Sequence, residues 1–579
     1  MTSQNEEPMS SIRSETRRSI IDTALARLAG GDISGAEAAF KKILHASPHD
    51  SEALHGLACV ARACKKPSLA IGLAGKALQD TQAREEQRAR FHLTLGLALA
   101  ECAHHEAARG ALVVSTLLEP RDPRAYAALA ESLLQLGRLE DAFSASREAI
   151  ALASDDIGYR QNYAEILLKA GSLQEAVEIF ADIARICPGN GAAQANLGAA
   201  LFEVGALDEA RKALLQSDRN APNVPQTLNN LGLVDMALGD LDQACEVLRH
   251  ANALTPDDAR IRNNYGTVLL ELGRSNEAEH IFRSLMNGKG KEAEQARFNL
   301  GTLELAQGRM RDGWRNFEAR LDLRGMQDEL PRWNGGGSEG PVAIHAEQGL
   351  GDLVQFLRFL PEAARRAPLR LHFPDSARDL LCMMPDLAPL LGNRVQWSES
   401  ADQSCSIMSL PFLLGCDVPS DAPYLQSDVA VIPKRIGLAW AGNPTYRFDA
   451  RRSLSRAMIE PLLQTEGCTF LCLQRDASAD ERRGMMSLPL SDLREAAEAV
   501  ASCALVISVD SLMVHLAGAL GRPTWLLNRF GGDWRWRGPS WFRTVDEYQV
   551  SQAGTPEATW PPLIERVAKD LRRWSGRML

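Results

Sequence analysis

Aromatic residues make up only 6% of the 579-residue sequence, its eleven cysteines include no C-x-x-C pair, and no apolar run approaches the ~18 residues of a spanning helix. An odd number of cysteines scattered from Cys59 to Cys503 gives neither a disulfide framework nor a paired-cysteine zinc site, and fits a reducing compartment. The opening MTSQNEEPMSSIRSETRRSI has charges and hydroxyls but no apolar centre like that of a signal peptide, so a cytoplasmic protein is expected. An excess of positive charge is also missing. Lys+Arg number 64 against 74 Asp+Glu, a net -10, which argues against broad binding to phosphate backbones and leaves nucleic acid an unfavoured partner. At 45% hydrophobic and 24% charged, with abundant Ala and Leu, the chain is of globular, helix-leaning composition and long enough for several folding units.

Self-comparison reveals a repeat. Ala36, Ala70, Ala108, Ala142, Ala176, Ala210, Ala244, Ala278 and Gly313 follow one another at intervals of 34, 38, 34, 34, 34, 34, 34 and 35 residues. Each unit reads as two helices. The first carries a small residue after Leu (Leu197-Gly198, Leu231-Gly232, Leu300-Gly301), and a turn glycine follows (Gly137, Gly171, Gly205, Gly239, Gly273, Gly308). The second carries the recurring small residue and an apolar one four later (Phe40, Leu112, Phe180, Leu214, Leu248, Phe282, Phe317), and prolines such as Pro188 and Pro256 end it. Spacing and residue type together resemble tetratricopeptide repeats, about nine of them over residues 18–325, after a flexible N-terminus 1–17. The second unit, 51–84, is degenerate, and a four-residue insertion precedes the third.

Such a solenoid has a concave groove. Asn162, Asn196, Asn230, Asn264 and Asn299 share one repeat position, doubled by Asn229 and Asn263. An amide both donates and accepts, so a ladder of amides can hold an extended peptide by its backbone; alternatively the asparagines cap or bridge neighbouring helices. The ladder resembles the asparagine-lined groove of eukaryotic O-GlcNAc transferase, which implies peptide capture.

After the turn-rich RWNGGGSEGP, read with its flank as a linker over 326–341, short apolar runs alternate with helical stretches. Strands are expected at Val342–His345, Arg370–Phe373, Ser404–Met408, Arg435–Ala439, Thr469–Leu473, Leu505–Val509 and Thr524–Leu527, implying parallel sheets in two units, 342–432 and 433–579, that face across a cleft. Helices are expected at Leu353–Ala364 and near 561–575.

Four constellations carry chemistry. In the first, His345-Ala-Glu-Gln-Gly-Leu-Gly-Asp352, the loop of Gln348, Gly349 and Gly351 lets backbone approach a ligand, and Asp352 either takes a proton from an acceptor hydroxyl or caps the following helix. Val354 stands where a dinucleotide fingerprint has its third glycine, which disfavours a nicotinamide enzyme. In the second, Ile436 to Pro444 is followed by Tyr446, Arg447, Asp449, Arg451, Arg452 and Ser453, a phosphate clamp or a solvated basic loop; residues 433–579 hold 20 Lys+Arg and 16 Asp+Glu. In the third, an apolar strand gives way at Asp510-Ser511 to a helix whose N–H groups favour an anion, with His515 facing a ligand or packing. In the fourth, Asp533-Trp-Arg-Trp536 with Ser540-Trp541 is an aromatic wall for a base or sugar, or packing between lobes.

HAEQGLGD, GLAWAGNP with DARRS, and SVDSLMVHLAGALGRP with DWRW resemble heptosyltransferase-type glycosyltransferases, in particular the bacterial branch fused to tetratricopeptide repeats. The resemblance implies an α-solenoid followed by an α/β GT-B domain with two Rossmann-like lobes. It implies inverting, metal-independent transfer from a nucleotide sugar, with no cofactor and a CMP-nonulosonic acid among the donors. It assigns Asp352 as base, Arg452 and Ser453 to the phosphate side, and Asp510, Ser511 and His515 to the donor turn; Asn443, Arg447 and Leu512 beside them are expected to bind the donor as well. Leu512 is bulkier than the small residue many relatives have there. Fusion to the solenoid is similar to protein O-glycosyltransferases that modify Ser/Thr of flagellin, making a groove-bound acceptor protein the expected partner. Two alternatives remain: a heptosyltransferase-like enzyme acting on lipopolysaccharide or another glycan, and a non-catalytic adaptor or chaperone.

Overall fold

The computed structural model describes residues 14–325, 330–398, 400–416, 420–444, 446 and 448–577. Helix pairs recur at the spacing of the sequence repeat, for example Ile157–Ala170 with Leu173–Ile186. Several first helices start on an acid or amide, Asp50, Asp122, Asp156, Asn190 and Asp258, whose side chain accepts from backbone N–H groups of the first turn. The eight recurring alanines are all fully buried, and the apolar residue four positions on is buried with them. A larger side chain at the alanine site would hold the paired helices apart. All six expected turn glycines have φ between +74° and +91°. Lys65 and Ala103 occupy the same turn in the second and third repeats at φ +55° and +60°, a left-handed conformation unfavourable for a side chain with a Cβ.

The chain divides into two compact units, residues 1–206 and 207–579. Among the described residues the first holds the helices from Ser14–Ala29 to Gly191–Glu203. Residues 14–17, expected in a flexible N-terminus, thus belong to the first helix; residues 1–13 lie outside the described residues. The second unit opens with the helix Leu207–Asn220. Three helix pairs follow: Pro225–Leu238 with Leu241–Leu254, Ala259–Glu271 with Ser275–Leu285, and Lys291–Ala306 with Met310–Phe317. A short helix, Ala319–Arg324, leads to the sheets.

The division falls inside the repeats because the last ones pack on the α/β part. Glu271 accepts from Arg451 at 2.9 Å and Arg529 at 2.5 Å, Arg537 donates to the carbonyl of Leu270, and Trp314 packs edge-on to Trp534 and Trp541. A Cβ on Gly239 or Gly538 would lie 2.5 or 2.6 Å from the carbonyl oxygens of Gly554 and Leu305, so the two parts meet backbone to backbone.

Two parallel sheets make up the remainder. β1 (Val342–His345), β2 (Leu369–His372), β3 (Val395–Gln396) and β4 (Gln403–Ser406) are ordered β3-β2-β1-β4. β5 (Ile432–Ala439), β6 (Thr469–Cys472), β7 (Met486–Ser487), β8 (Cys503–Val509), β9 (Thr524–Asn528) and β10 (Val545–Gln549) are ordered β10-β9-β8-β5-β6-β7. Both reverse strand order beside their first strand, as doubly wound nucleotide-binding sheets do. The seven expected strands are present within a few residues at their ends. β3 and β7, two residues each, and the polar edge strand β10 lacked an apolar run to mark them.

Other boundaries differ from expectation. The helix expected at Leu353–Ala364 begins at Leu350, ends at Phe356 and resumes as Leu360–Arg366 with Pro361 in its first turn. The segment read as a linker is part of the first sheet's layer from Arg332. Arg332 bridges Ser404 beside β4, and Trp333 is buried, its backbone N–H on the Ser404 carbonyl at 2.9 Å. A large aromatic in a glycine-rich stretch buries apolar area that offsets the entropy of ordering the chain. Among the described residues no helix is long and apolar enough to cross a membrane.

Candidate functional site

Ligands of doubly wound sheets bind outside the carboxyl ends of the strands, where strand order reverses. In the second sheet that point lies between β5 and β8, followed by Trp440–Gly442 and Asp510–Ser511. In the first it lies between β1 and β4, followed by the His345–Asp352 loop.

Asp352 is the third residue of the Leu350–Phe356 helix. Its Oδ2 accepts from the Gly349 N–H at 3.2 Å, so it does cap the helix, and Oδ1 pairs with Arg535. Gln348 and Gly349 are exposed, Gln348 at φ +63°. Gly351 differs from expectation: a Cβ there would lie 3.1 Å from His515 Cδ2, so its missing side chain admits a helix of the second sheet's layer. Glu347, in the same loop, is buried against Arg320 of the helix after the last repeat and accepts from Ser406 Oγ at 2.5 Å. The loop is thereby anchored from behind.

Ser511 caps the helix Leu512–Ala519, accepting from the Met513 N–H at 3.3 Å, and its Oγ is 3.0 Å from that of Ser508. Leu512 opens the helix and packs on the core of the first sheet. His515 is buried, stacked on Trp536 at 5.5 Å between ring centroids, with Nε2 3.9 Å from Asp510 Oδ1. Burial and the nearby Arg535 cation push its pKa down to about 3, so the imidazole is neutral. Burial, with the Asp533 carboxylate close by, pushes the Asp510 carboxyl above its usual range. Asp533 is half-buried, and Arg535 outweighs the cost of its partial burial and holds it below.

After β5, Arg452 donates to Asp449 Oδ1 at 2.8 Å and to the Asp510 carbonyl at 3.0 Å, tying the ends of β5 and β8 together. Ser453 Oγ donates to Asp449 Oδ2 at 2.7 Å and accepts from the Gly442 N–H at 2.8 Å. Asn443 is exposed; Arg447 lies outside the described residues. Arg451 leaves the cluster to join Glu271 and Arg529. Beyond this loop lies a cavity of about 280 Å³ lined by Gln474, Arg475, Arg482, Ser487 and Leu488, with Gln474 accepting from the Ala441 N–H at 3.1 Å.

Trp534 and Trp541 pack against Trp314, so the tryptophan group is packing between the last repeat and the sheets. Sequence reasoning missed Arg535 inside that group. It holds Asp352, Asp533 at 2.8 Å and Gln355 at 2.9 Å. The spacing of Asp352 and Gln355, three apart on one helix face, was the available signal. Among the described residues no group of three or more His, Cys, Asp or Glu could hold a metal ion.

In the groove, the asparagines of the second unit bridge neighbouring first helices. Asn264 donates to Asn229 at 2.7 Å and Asn299 to Asn263 at 3.1 Å, while Asn230 accepts from Gln226 of its own helix at 3.0 Å. In the first unit, Asn196 is half-buried and the buried Oδ1 of Asn162 has no partner.

Models of the tetratricopeptide repeat match residues 123–156, 167–228 and 235–299. The helical part is a tetratricopeptide-repeat solenoid. Similar solved structures include YrrB, described as a TPR protein with an unusual peptide-binding site (17% identity, TM-score 0.27, 32% of this chain and 95% of that one). A tetratricopeptide repeat protein from Parabacteroides merdae matches at 15% identity and TM-score 0.36, over 44% and 100% of the two chains. A thermophilic TPR protein of Thermus thermophilus matches at 23% and 0.29, over 31% and 99%. Comparison with curated proteins gave no match. The repeats suggest a protein-binding role.

Proposed function

We propose that the chain is an inverting, metal-independent glycosyltransferase of GT-B type, which moves a sugar from a nucleotide-activated donor to a Ser or Thr hydroxyl of a protein held in the solenoid groove. The observation that carries this is the meeting of Asp352 with Arg535, Asp510 and the capped Leu512 helix where two doubly wound sheets bring their carboxyl ends together. The donor phosphate would lie on the N–H groups of that helix beside Arg452, and the nucleoside in the 280 Å³ cavity. The acceptor hydroxyl oxygen attacks the anomeric carbon opposite the phosphate and gives its proton to Asp352. The anomeric carbon–oxygen bond breaks, its electron pair leaves with the phosphate, and that charge falls on the arginine and the helix terminus. The resemblance adds flagellin as the acceptor and a CMP-nonulosonic acid as the donor.

Co-expression with candidate acceptors, flagellin first, followed by intact-mass measurement tests this. A sugar-sized mass increment should appear with the wild type and vanish with Asp352→Asn. A non-catalytic adaptor is favoured by one observation, that both Asp352 oxygens are engaged. On that reading Asp352→Asn changes no acceptor mass.

A further inference from the structure

We infer that Arg535 is a donor-sensing latch, a positioning residue that exchanges the Asp352 carboxylate for the donor phosphate and so frees the base only once the donor is in place. The inference rests on the donor site proposed above.

With Arg535 on Oδ1 and the Gly349 N–H on Oδ2, each Asp352 oxygen already has one donor. A base must come within hydrogen-bond reach of the proton it removes, and a carboxylate released from a cation is better placed to take it, so opening one of these bonds readies Asp352. The Gly349 bond belongs to the helix's own first turn and moves with the carboxylate. The Arg535 bond joins elements of different sheets and is the one that can open without unwinding a helix.

Arg535 is built to change partners. Its Nη1 bond to Asp533 and its stacking on Trp534, 4.6 Å from the ring centroid, are to chain neighbours and can persist while the rest of the guanidinium turns. Only the bonds to Asp352 and Gln355 reach the opposite helix. Three carboxylates, Asp352, Asp533 and Asp510, lie close enough to act on its charge. Asp510 directly precedes Ser511, the cap of the proposed phosphate-binding helix, so the move from Asp352 to a phosphate oxygen is short.

A separate observation points the same way. Gln355 is fully buried, yet its Nε2 has no partner, and the buried Nδ1 of His515 has none either. Buried polar atoms left unpaired are unfavourable, and two of them beside one ion pair leave contacts for a bound ligand to make.

The exchange makes the reaction ordered. With Arg535 on the phosphate, Asp352 Oδ1 takes the hydroxyl proton as the new carbon–oxygen bond forms and the bond to the phosphate breaks. The protonated carboxyl no longer attracts Arg535, which stays with the departing nucleotide. Loss of the proton and of the nucleotide resets the pair.

The test is calorimetric titration of the full-length chain with CMP, UDP, GDP, ADP and inorganic pyrophosphate. Asp352→Asn keeps the shape and removes the competing charge, so it should bind the best of these probes about tenfold tighter, the equivalent of one charge-assisted hydrogen bond. Arg535→Gln should bind about tenfold more weakly. The tightening by Asp352→Asn should disappear in the Arg535→Gln background and survive in part with Arg535→Lys. A purely structural strut would give Asp352→Asn equal or weaker binding and a lower melting temperature; equal or weaker binding, whatever the melting temperature, overturns the latch alone. If the wild type binds none of the probes, the donor site itself falls and the latch with it.

Discussion

Gly351 and His515 meet across the two sheets so closely that a Cβ at Gly351 would stand 3.1 Å from the imidazole Cδ2 and the ring would have to give by a few tenths of an ångström. His515 cannot easily yield, because Trp536 stacks on one side and Phe542 packs at 5.9 Å on another. Gly351→Ala should destabilise the second unit by about 1–3 kcal/mol, as overpacking does, and Gly351→Val by more. In urea unfolding, the Gly351→Ala change should cost less in a His515→Ala background than alone, because the two residues share one space.

Glu271 ties the eighth repeat to Arg451 and Arg529. Burial raises its pKa, but the two guanidiniums outweigh that and hold it at about 2. The folded value lies below the unfolded one of about 4.5, so this contribution is complete above pH 4.5 and fades as pH falls toward 2. Glu271→Gln should remove this component from the acid-denaturation curve. At neutral pH it should cost about 3–5 kcal/mol, because two buried arginines lose their counter-charge.

Lys65 and Ala103 occupy turns where other repeats place glycine. Lys65→Gly and Ala103→Gly should each stabilise the first unit by about 1 kcal/mol, read as a rise in melting temperature of a fragment ending at residue 206. A fall in melting temperature for both would mean that chain entropy outweighs the strain.

The asparagine ladder should separate by unit. In the second unit Asn299 is bonded to Asn263 and Thr267, so Asn299→Ala should lower stability by about 1 kcal/mol. In the first unit Asn162→Ala and Asn196→Ala should leave melting unchanged and weaken acceptor-peptide binding about fivefold each in fluorescence anisotropy, the worth of one hydrogen bond.

The sequence period and its turn glycines were enough to place the helical half, because the same residue types recur wherever two helices touch. Seven strands were visible because each carries buried residues: β8 and β9 are buried along nearly their whole length, while β2 alternates buried leucines with half-buried Arg370 and His372. β3, β7 and β10 were not, since short or edge strands bury too little to leave such a pattern. Asp352, Asp510 and Ser511 could be placed at strand-to-helix turns because such turns have a local signature. Arg535 escaped, as did Glu271. Each acts through a partner about 180 or more residues away, and no short window of sequence contains both members of such a pair.

The backbone contacts of Gly239 with Gly554 and of Gly538 with Leu305 also bear on how such a chain can change length. Adding or removing a whole repeat before Leu207 leaves these contacts untouched. The same change after Leu207 would move every later turn one rung along the β-sheet platform, breaking its fit all at once. Variation in repeat number is therefore open to evolution and to protein engineers on one side of that point and closed on the other.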